Sequence, residues 1–227
     1  SSFNAATLHE RYGRTATVVH NGVDIEHFRP LAPEPTLRAE LRGGQEHVVL
    51  LPGRMMPWKG HRHAIAALPA MPGVRLVVIG GGETRAELER QAAELGVTEQ
   101  VLFTGVVPHR ELPRYFAAAD LAIGCSYASE TFGMVLAEAM ACGLPVLASA
   151  WPGYDDVVID GETGARFPAS DPAGLAAAVM ALLGDHAARR RYADAGGAHV
   201  RRSFAWERIA ANVEAAYGAI GESGGRR

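Results

Sequence analysis

Val74-Arg75-Leu76-Val77-Val78-Ile79-Gly80-Gly81-Gly82-Glu83-Thr84-Arg85-Ala86-Glu87-Leu88 passes from a nearly unbroken apolar run, through three glycines, into a helix start. A short apolar run without alternation is the pattern of a strand covered on both faces. Thr84 to Glu87 has the spacing of a capping box, Leu88, Ala92 and Leu95 then recur on one helical face, and Gly96 is placed to stop the helix. The same unit recurs along the chain. Val48 to Leu51, Val101 to Phe103, Leu121 to Ile123 and Pro145 to Ala148 are further short apolar runs, with helical segments between them. Strands alternating with helices predict an α/β fold, a Rossmann-like doubly wound parallel sheet, with ligands at the carboxyl ends of the strands.

At one such end lies Ser129-Glu130-Thr131-Phe132-Gly133-Met134-Val135-Leu136-Ala137-Glu138-Ala139-Met140-Ala141-Cys142-Gly143. Leu136 to Ala141 are strong helix formers, Gly143 suits a left-handed stop, and Pro145 blocks continuation. The first turn, Phe132, Gly133, Met134 and Val135, offers orphan backbone N–H groups at the positive end of a helix dipole, and Gly133 admits close approach of an anion. Glu130 and Glu138 bracket that turn. Eight residues of helix rise up to roughly 12 Å, about the length of a sugar nucleotide. Spacing alone leaves open a second reading, two solvated carboxylates on a surface helix.

Gly53-Arg54-Met55-Met56-Pro57-Trp58-Lys59-Gly60 follows the first apolar run of the alternating region. Arg54 and Lys59 there suit a diphosphate, the guanidinium by bidentate contact and the ammonium as a compact charge. The alternative is two solvated cations on a loop. Gly80 to Gly82 lack the further glycine of a dinucleotide fingerprint, and Glu83 would repel a pyrophosphate, so they read as turn glycines. His61 and His63 would share a metal only from a strand, yet they sit at a helix start and read as surface histidines. Arg189 to Arg191 with Arg201 and Arg202 read as a solvated helix face, with an acidic lipid or acceptor contact as the alternative.

Composition narrows the function classes. The 227 residues carry 22 basic and 25 acidic side chains, a net charge of −3, so nothing in the overall balance favours nucleic acid or a membrane surface. Cys125 and Cys142 form neither a disulfide framework nor a zinc pattern, which makes a cytoplasmic location the expectation. No apolar run approaches the roughly 18 residues of a membrane span.

Glu130-Thr131-Phe132-Gly133 followed by Glu138-Ala139-Met140-Ala141-Cys142-Gly143-Leu144-Pro145-Val146, together with Gly53-Arg54 before Lys59-Gly60, resembles the signature of the retaining glycosyltransferases of family 4. The resemblance extends from Val19 to Tyr217. It implies the C-terminal, nucleotide-sugar-binding half of a GT-B enzyme, which transfers a sugar from a nucleotide-diphosphate sugar to an acceptor hydroxyl with retention. It further implies Glu130, Arg54 and Lys59 as catalytic residues and Glu138 at the ribose. The amides of Phe132, Gly133, Met134 and Val135 would lie at sugar hydroxyls and phosphate, Gly53, Arg54 and Lys59 at the diphosphate, and Val107 near the base. No metal or other cofactor is expected, and Asp155-Asp156 is accordingly not read as a metal pair.

The resemblance also sets the domain expectations. Residues 1–30 would be the end of an N-terminal domain and its hinge, with helix 3–12 and a short strand at Thr17 to His20; 31–46 a proline-bearing linker; 47–204 the donor domain; 205–220 a helix crossing back to the first domain; and 221–227 a disordered tail. The expected partners are a nucleotide sugar, an acceptor glycan, glycolipid or small molecule, and an N-terminal Rossmann-like domain in cis or trans. Contact with the inner membrane face is compatible with a glycolipid acceptor, and the isolated half is expected to be inactive. Cys125, Pro152, Asp156 and Ala205 depart from the residues common at those places in the family. Two rivals stand beside this reading: a non-catalytic nucleotide-binding module, and a nicotinamide enzyme resting on Gly80 to Gly82 alone.

Overall fold

The computed structural model describes residues 1–224, with side-chain placement through residue 218. Six parallel strands form one sheet in the order β3-β2-β1-β4-β5-β6. They are β1 (His47–Pro52), β2 (Val74–Ile79), β3 (Val101–Gly105), β4 (Leu121–Gly124), β5 (Val146–Ser149) and β6 (Ala165–Phe167). The chain winds outward from β1 to β3, returns to β4 beside β1, and winds outward again. That reversal is the topological switch point, where loops leaving the carboxyl ends of β1 and β4 part and open a crevice.

Both sheet faces are covered, which is why the strands read as unbroken apolar runs. Val49, Leu51, Leu76, Val78, Leu121 and Ile123 face one core, completed by α3 (His61–Ala67), α4 (Arg85–Glu94) and α7 (Pro172–Gly184). Val48, Leu50, Val77, Ala122 and Val146 face the other, under α5 (Leu112–Ala117), α6 (Met134–Ala141) and α8 (His186–Ser203). The stop signals act as expected: Gly96 has φ +70° after α4 and Gly143 φ +77° after α6. Asp171 caps α7 by accepting from the Ala173 N–H at 3.1 Å, and Leu175, Val179, Leu182 and Leu183 of that helix are buried.

Several local expectations are corrected. Thr17 to His20 form no strand; pairing in this region is a single bridge between Val23 and Ala205, with the Val23 N–H donating to the Phe204 carbonyl at 2.7 Å. Within residues 31–46 lies a helix, α2 (Pro35–Arg42). Pro35 opens it because a first-turn residue needs no N–H partner, and Arg38 docks it by donating to the Ala118 carbonyl at 2.8 Å and the Asp120 carboxylate at 2.9 Å. Thr84 makes no capping hydrogen bond, and Leu95 is exposed beyond the end of α4.

At the N-terminus, α1 (Ser2–Tyr12) closes at Gly13. At the other end α9 (Trp206–Gly224) continues through residues 221–224, where a disordered tail was expected; 225–227 lie outside the described residues. Its apolar stripe divides. Ile209 is buried, whereas Trp206, whose ring lies over Gly22, is 56 % exposed and Tyr217 is 72 % exposed. No helix of the described residues is long and apolar enough to cross a membrane.

Candidate functional site

The loop after β1 is fixed by interlocking with the loop after β2. The Gly53 N–H donates to the Ile79 carbonyl at 2.8 Å and the Met55 N–H to the Gly81 carbonyl at 2.9 Å. A Cβ at Gly80 would stand 2.2 Å from the Gly53 carbonyl oxygen, and one at Gly82 would stand 2.2 Å from that of Met55. Gly80 and Gly82 are therefore glycines because two backbones meet there. Beyond the interlock the chain makes a tight turn over Pro57–Lys59, and Gly60, at φ +73°, presses against the loop leaving β4. The Tyr127 N–H donates to the Trp58 carbonyl at 3.0 Å and ties the two loops together.

That junction delivers Lys59 to Glu130. Lys59 Nζ lies 2.7 Å from Glu130 Oε2, and both side chains are largely withdrawn from solvent. Glu130 Oε1 accepts from the backbone N–H groups of Thr131 at 3.0 Å, Phe132 at 3.3 Å and Gly133 at 3.0 Å. Burial would raise this carboxyl's pKa, but the Lys59 ammonium and the Phe132 and Gly133 amides outweigh burial and hold it below its ordinary value. Glu130 is ionised at neutral pH. Amides expected to be free for a ligand are thus occupied by Glu130 itself, since the chain before the helix folds back onto its own N-terminus. The helix starts at Met134 with Gly133 as its N-cap at φ +88°, which leaves Met134 and Val135 as its orphan first-turn donors. The Phe132 ring is buried, 5.0 Å from the Phe204 ring, so Phe132 offers the site only backbone.

Glu138 lies one turn further into α6 and is 5 % exposed. Burial pushes its carboxyl up, opposed by His109, whose Nε2 lies 2.8 Å from Glu138 Oε1. Gly53, Lys59, Glu130, Phe132, Gly133, Met134, Val135 and Glu138 all line one cavity of about 390 Å³ at the switch point. Arg54 and Val107 do not join them there. They line an adjoining, more apolar recess of about 520 Å³ with Val106 and Leu112, and Pro52, Gly53 and Val135 border both spaces. Arg54 is exposed at that rim.

Beneath the ion pair is a polar floor that the sequence reading missed. Tyr154 Oη donates to Ser126 Oγ at 2.9 Å, and Ser149 Oγ donates to the Ser126 carbonyl at 2.5 Å, all of them buried. Trp151 Nε1 donates to the Glu130 carbonyl at 2.8 Å, and a Cβ at Gly153 would stand 1.9 Å from the same oxygen. Ser149, Trp151, Gly153 and Tyr154 lie more than twenty positions from the Glu130 or Ser126 they meet, a separation no local pattern spans.

His61 is a correction. It is 2 % exposed, not on the surface, and it also lines the cavity. Burial and, after it, the Lys59 charge push its pKa down to about 4, so the ring is neutral at pH 7. His63 is half-buried with its ring 5.5 Å from that of Tyr127. Asp155 and Asp156 turn to different partners, Arg166 at 2.8 Å and the Ser2 N–H at 2.8 Å.

The comparisons with known proteins agree with this architecture. Residues 34–199 match the family of glycosyl transferases group 1. The chain is 35 % identical to the GDP-mannose-dependent alpha-(1-6)-phosphatidylinositol monomannoside mannosyltransferase of Mycolicibacterium smegmatis, over 82 % of this chain and 52 % of that protein. It is 37 % identical to the D-inositol 3-phosphate glycosyltransferase of Mycobacterium marinum, over 97 % of this chain and 49 % of that protein. Among solved structures, Anabaena Alr3699/HepE in complex with UDP superposes with a TM-score of 0.85 at 26 % identity, covering 98 % of this chain and 62 % of that one. Sucrose-phosphate synthase from Thermosynechococcus elongatus gives 0.83 at 31 % identity, covering 96 % and 56 %. The chain spans about half the length of the curated relatives it matches.

Proposed function

The chain belongs to the glycosyl transferases group 1 family, and from that premise we propose that it is the donor-binding half of a retaining enzyme of family 4. In this reading it transfers a sugar from a nucleotide-diphosphate sugar to an acceptor hydroxyl, with the acceptor and a second Rossmann-like domain completing the site. The observation that carries the proposal is the Lys59–Glu130 ion pair at the N-terminus of α6, at the switch point, in one cavity with Glu138.

Each group has a task in that geometry. The nucleobase lies in the apolar recess beside Val107, and the ribose hydroxyls donate to Glu138. The diphosphate meets Lys59, the Met134 and Val135 amides and, from the rim, Arg54. Charge developing on the departing diphosphate is thereby met by fixed cations and dipoles, and stabilising that charge lowers the barrier. Glu130, held ionised by Lys59 and the Phe132 and Gly133 amides, lies at the sugar and stabilises positive charge there. The acceptor oxygen bonds to the sugar from the face the diphosphate leaves as the sugar–phosphate bond breaks, its proton passing to the departing phosphate oxygen, and the result is retention. The donor set of the site, one ammonium, one guanidinium and backbone amides, supplies the phosphate counter-charge without a metal ion.

The relatives narrow the donor class. One close in sequence is named for GDP-mannose and a structural neighbour holds UDP, so a nucleoside diphosphate carrying a hexose is the substrate class proposed. The test is product stereochemistry. The chain together with its N-terminal domain, given GDP-mannose or UDP-glucose and an inositol phosphate acceptor, should form an α-linked product by nuclear magnetic resonance from the α-linked donor. A β-linked product would overturn the retaining assignment.

A further inference from the structure

Glu138 is a buried carboxylate held from outside by an exposed arm. Its side chain is 7 % exposed, whereas that of His109 is 66 % exposed. Between an imidazole and an ionised carboxylate the ring nitrogen is the donor, so the 2.8 Å contact is His109 Nε2–H giving its proton to Glu138 Oε1. His109 follows β3 in the turn that precedes α5, and Glu138 sits on α6, so the contact joins two elements on the rim of the cavity. The imidazole is itself braced. The buried Phe28 ring meets it at 4.9 Å, near edge-on. Among the described residues no donor takes Glu138 Oε2.

We propose that His109 is a positioning residue for nucleoside recognition: by holding Glu138 Oε1 it fixes the carboxylate plane and leaves Oε2 to accept the ribose hydroxyls. The proposal rests on the reading of Glu138 as the ribose acceptor. Two facts support it beyond the distance. A carboxylate this buried is driven toward its neutral form, in which one oxygen becomes a donor and the charge that strengthens acceptance from a hydroxyl is lost; His109 is the strongest influence working against that. A buried Glu without a fixed partner would also rotate between rotamers, and ordering it would then oppose binding. With Phe28 against the ring, the ordering is done before the ligand arrives. The consequence is selectivity for a ribose with both hydroxyls, which a merely structural contact would not give.

The experiment titrates the 227-residue chain and its His109→Ala and His109→Gln variants with UDP, GDP and ADP and with their 2′,3′-dideoxy counterparts. The wild-type chain should prefer the ribo form of its nucleotide by about tenfold or more, the scale of a hydrogen bond to a charged group. His109→Ala should lose about tenfold for the ribo form and little for the dideoxy form, so that the preference collapses. His109→Gln, whose amide N–H reaches nearly the same place, should keep most of it. A cooperative thermal transition well above the titration temperature in each variant serves as the fold control. A preference that survives in His109→Ala, equal losses on both ligand forms, or a glutamine variant as poor as alanine would each overturn the positioning role while leaving the donor-site reading intact. A wild-type chain that binds no nucleoside diphosphate would overturn the donor-site reading, and this inference with it.

Discussion

Lys59→Ala should lower nucleoside diphosphate affinity about a hundredfold while changing affinity for the nucleoside alone by no more than about twofold. A hydrogen bond from an ammonium to a phosphate contributes about 1.5–3 kcal/mol in a site of this kind. The substitution does more than remove it. Lys59 Nζ is 2.7 Å from Glu130 Oε2, and without that cation a largely buried carboxylate keeps only its backbone amide donors, beside the position proposed for the diphosphate. Lost attraction and gained repulsion act on the phosphates and not on the base or ribose. Loss of Lys59 also removes the strongest influence keeping Glu130 ionised, so its pKa should rise. A carboxyl whose pKa is depressed in the fold stabilises the fold above its unfolded pKa and loses that contribution as pH falls through the folded value. The variant should therefore lose part of that pH-dependent stability. Arg54→Ala, at an exposed rim, should lose less, about fivefold. Calorimetric titration of both variants with a nucleoside and its diphosphate is the check; equal losses on the two ligands would show that Lys59 supports the fold and not the phosphate.

Gly60→Ala should lower stability by about 2–5 kcal/mol, near 10 °C in melting temperature for a chain of this size. Two costs add. A φ of +73° costs an L-residue about 1–2 kcal/mol. A Cβ would also stand 2.0 Å from the Cys125 carbonyl oxygen, an overlap of backbone against side chain that forces the β1 and β4 loops apart at a further ~1–3 kcal/mol. Gly96→Ala separates the two. Gly96 has nearly the same φ, +70°, but nothing within 4 Å of its Cβ position, so it should show the first cost alone. Thermal unfolding of the pair gives the difference. Because Gly60 follows Lys59 directly, the displaced loop should also carry Lys59 away from Glu130, and diphosphate affinity should fall with stability. Equal melting temperatures for the two variants would mean that the close approach at Cys125 does not hold the site together.

The sheet was legible because its strands are buried on both faces. Val48 to Leu51 and Val74 to Ile79 have no alternation to confuse with an amphipathic surface, and Gly96 and Gly143 end their helices where sequence placed them. Residues 31–46 were not legible in the same way. Proline marks a break in most contexts, yet Pro35 opens α2, and what holds that helix is Arg38 on Asp120, a contact across 82 positions that no local pattern contains. Thr17 to His20 had the composition of a strand, but a strand also needs a neighbour, and Val23 gains only a single bridge. The capping box at Thr84 shows the same limit from the other side, since a sequence that permits a cap does not oblige the hydroxyl to make it.

Within the site, Lys59, Glu130 and Glu138 could be singled out because the residues that flank them, Gly53-Arg54 and Gly60, Phe132-Gly133 and Ala139 to Val146, resemble a family signature, which spacing alone does not supply. Their supports could not. Tyr154, Ser126 and Trp151 look like ordinary loop residues until folding brings them under Glu130, and His109 becomes informative only once it is seen against Glu138. His61 read as a surface residue because a histidine at a helix start carries no local signal of burial, yet it is 2 % exposed in the folded chain. Arg54 shows the reverse. It belongs to the same loop as Lys59, but the turn at Pro57 sends the two cations to different spaces, so the pair divides between the ion-paired cavity and its rim.

The most direct test of the donor-site reading is a calorimetric titration of the chain with UDP, GDP and ADP in turn, with EDTA present. The expected result is one-to-one binding of one of the three, with the matching nucleoside weaker by a factor set by Lys59 and Arg54. A folded chain that binds none of them, or that binds only when a divalent cation is restored, would contradict it.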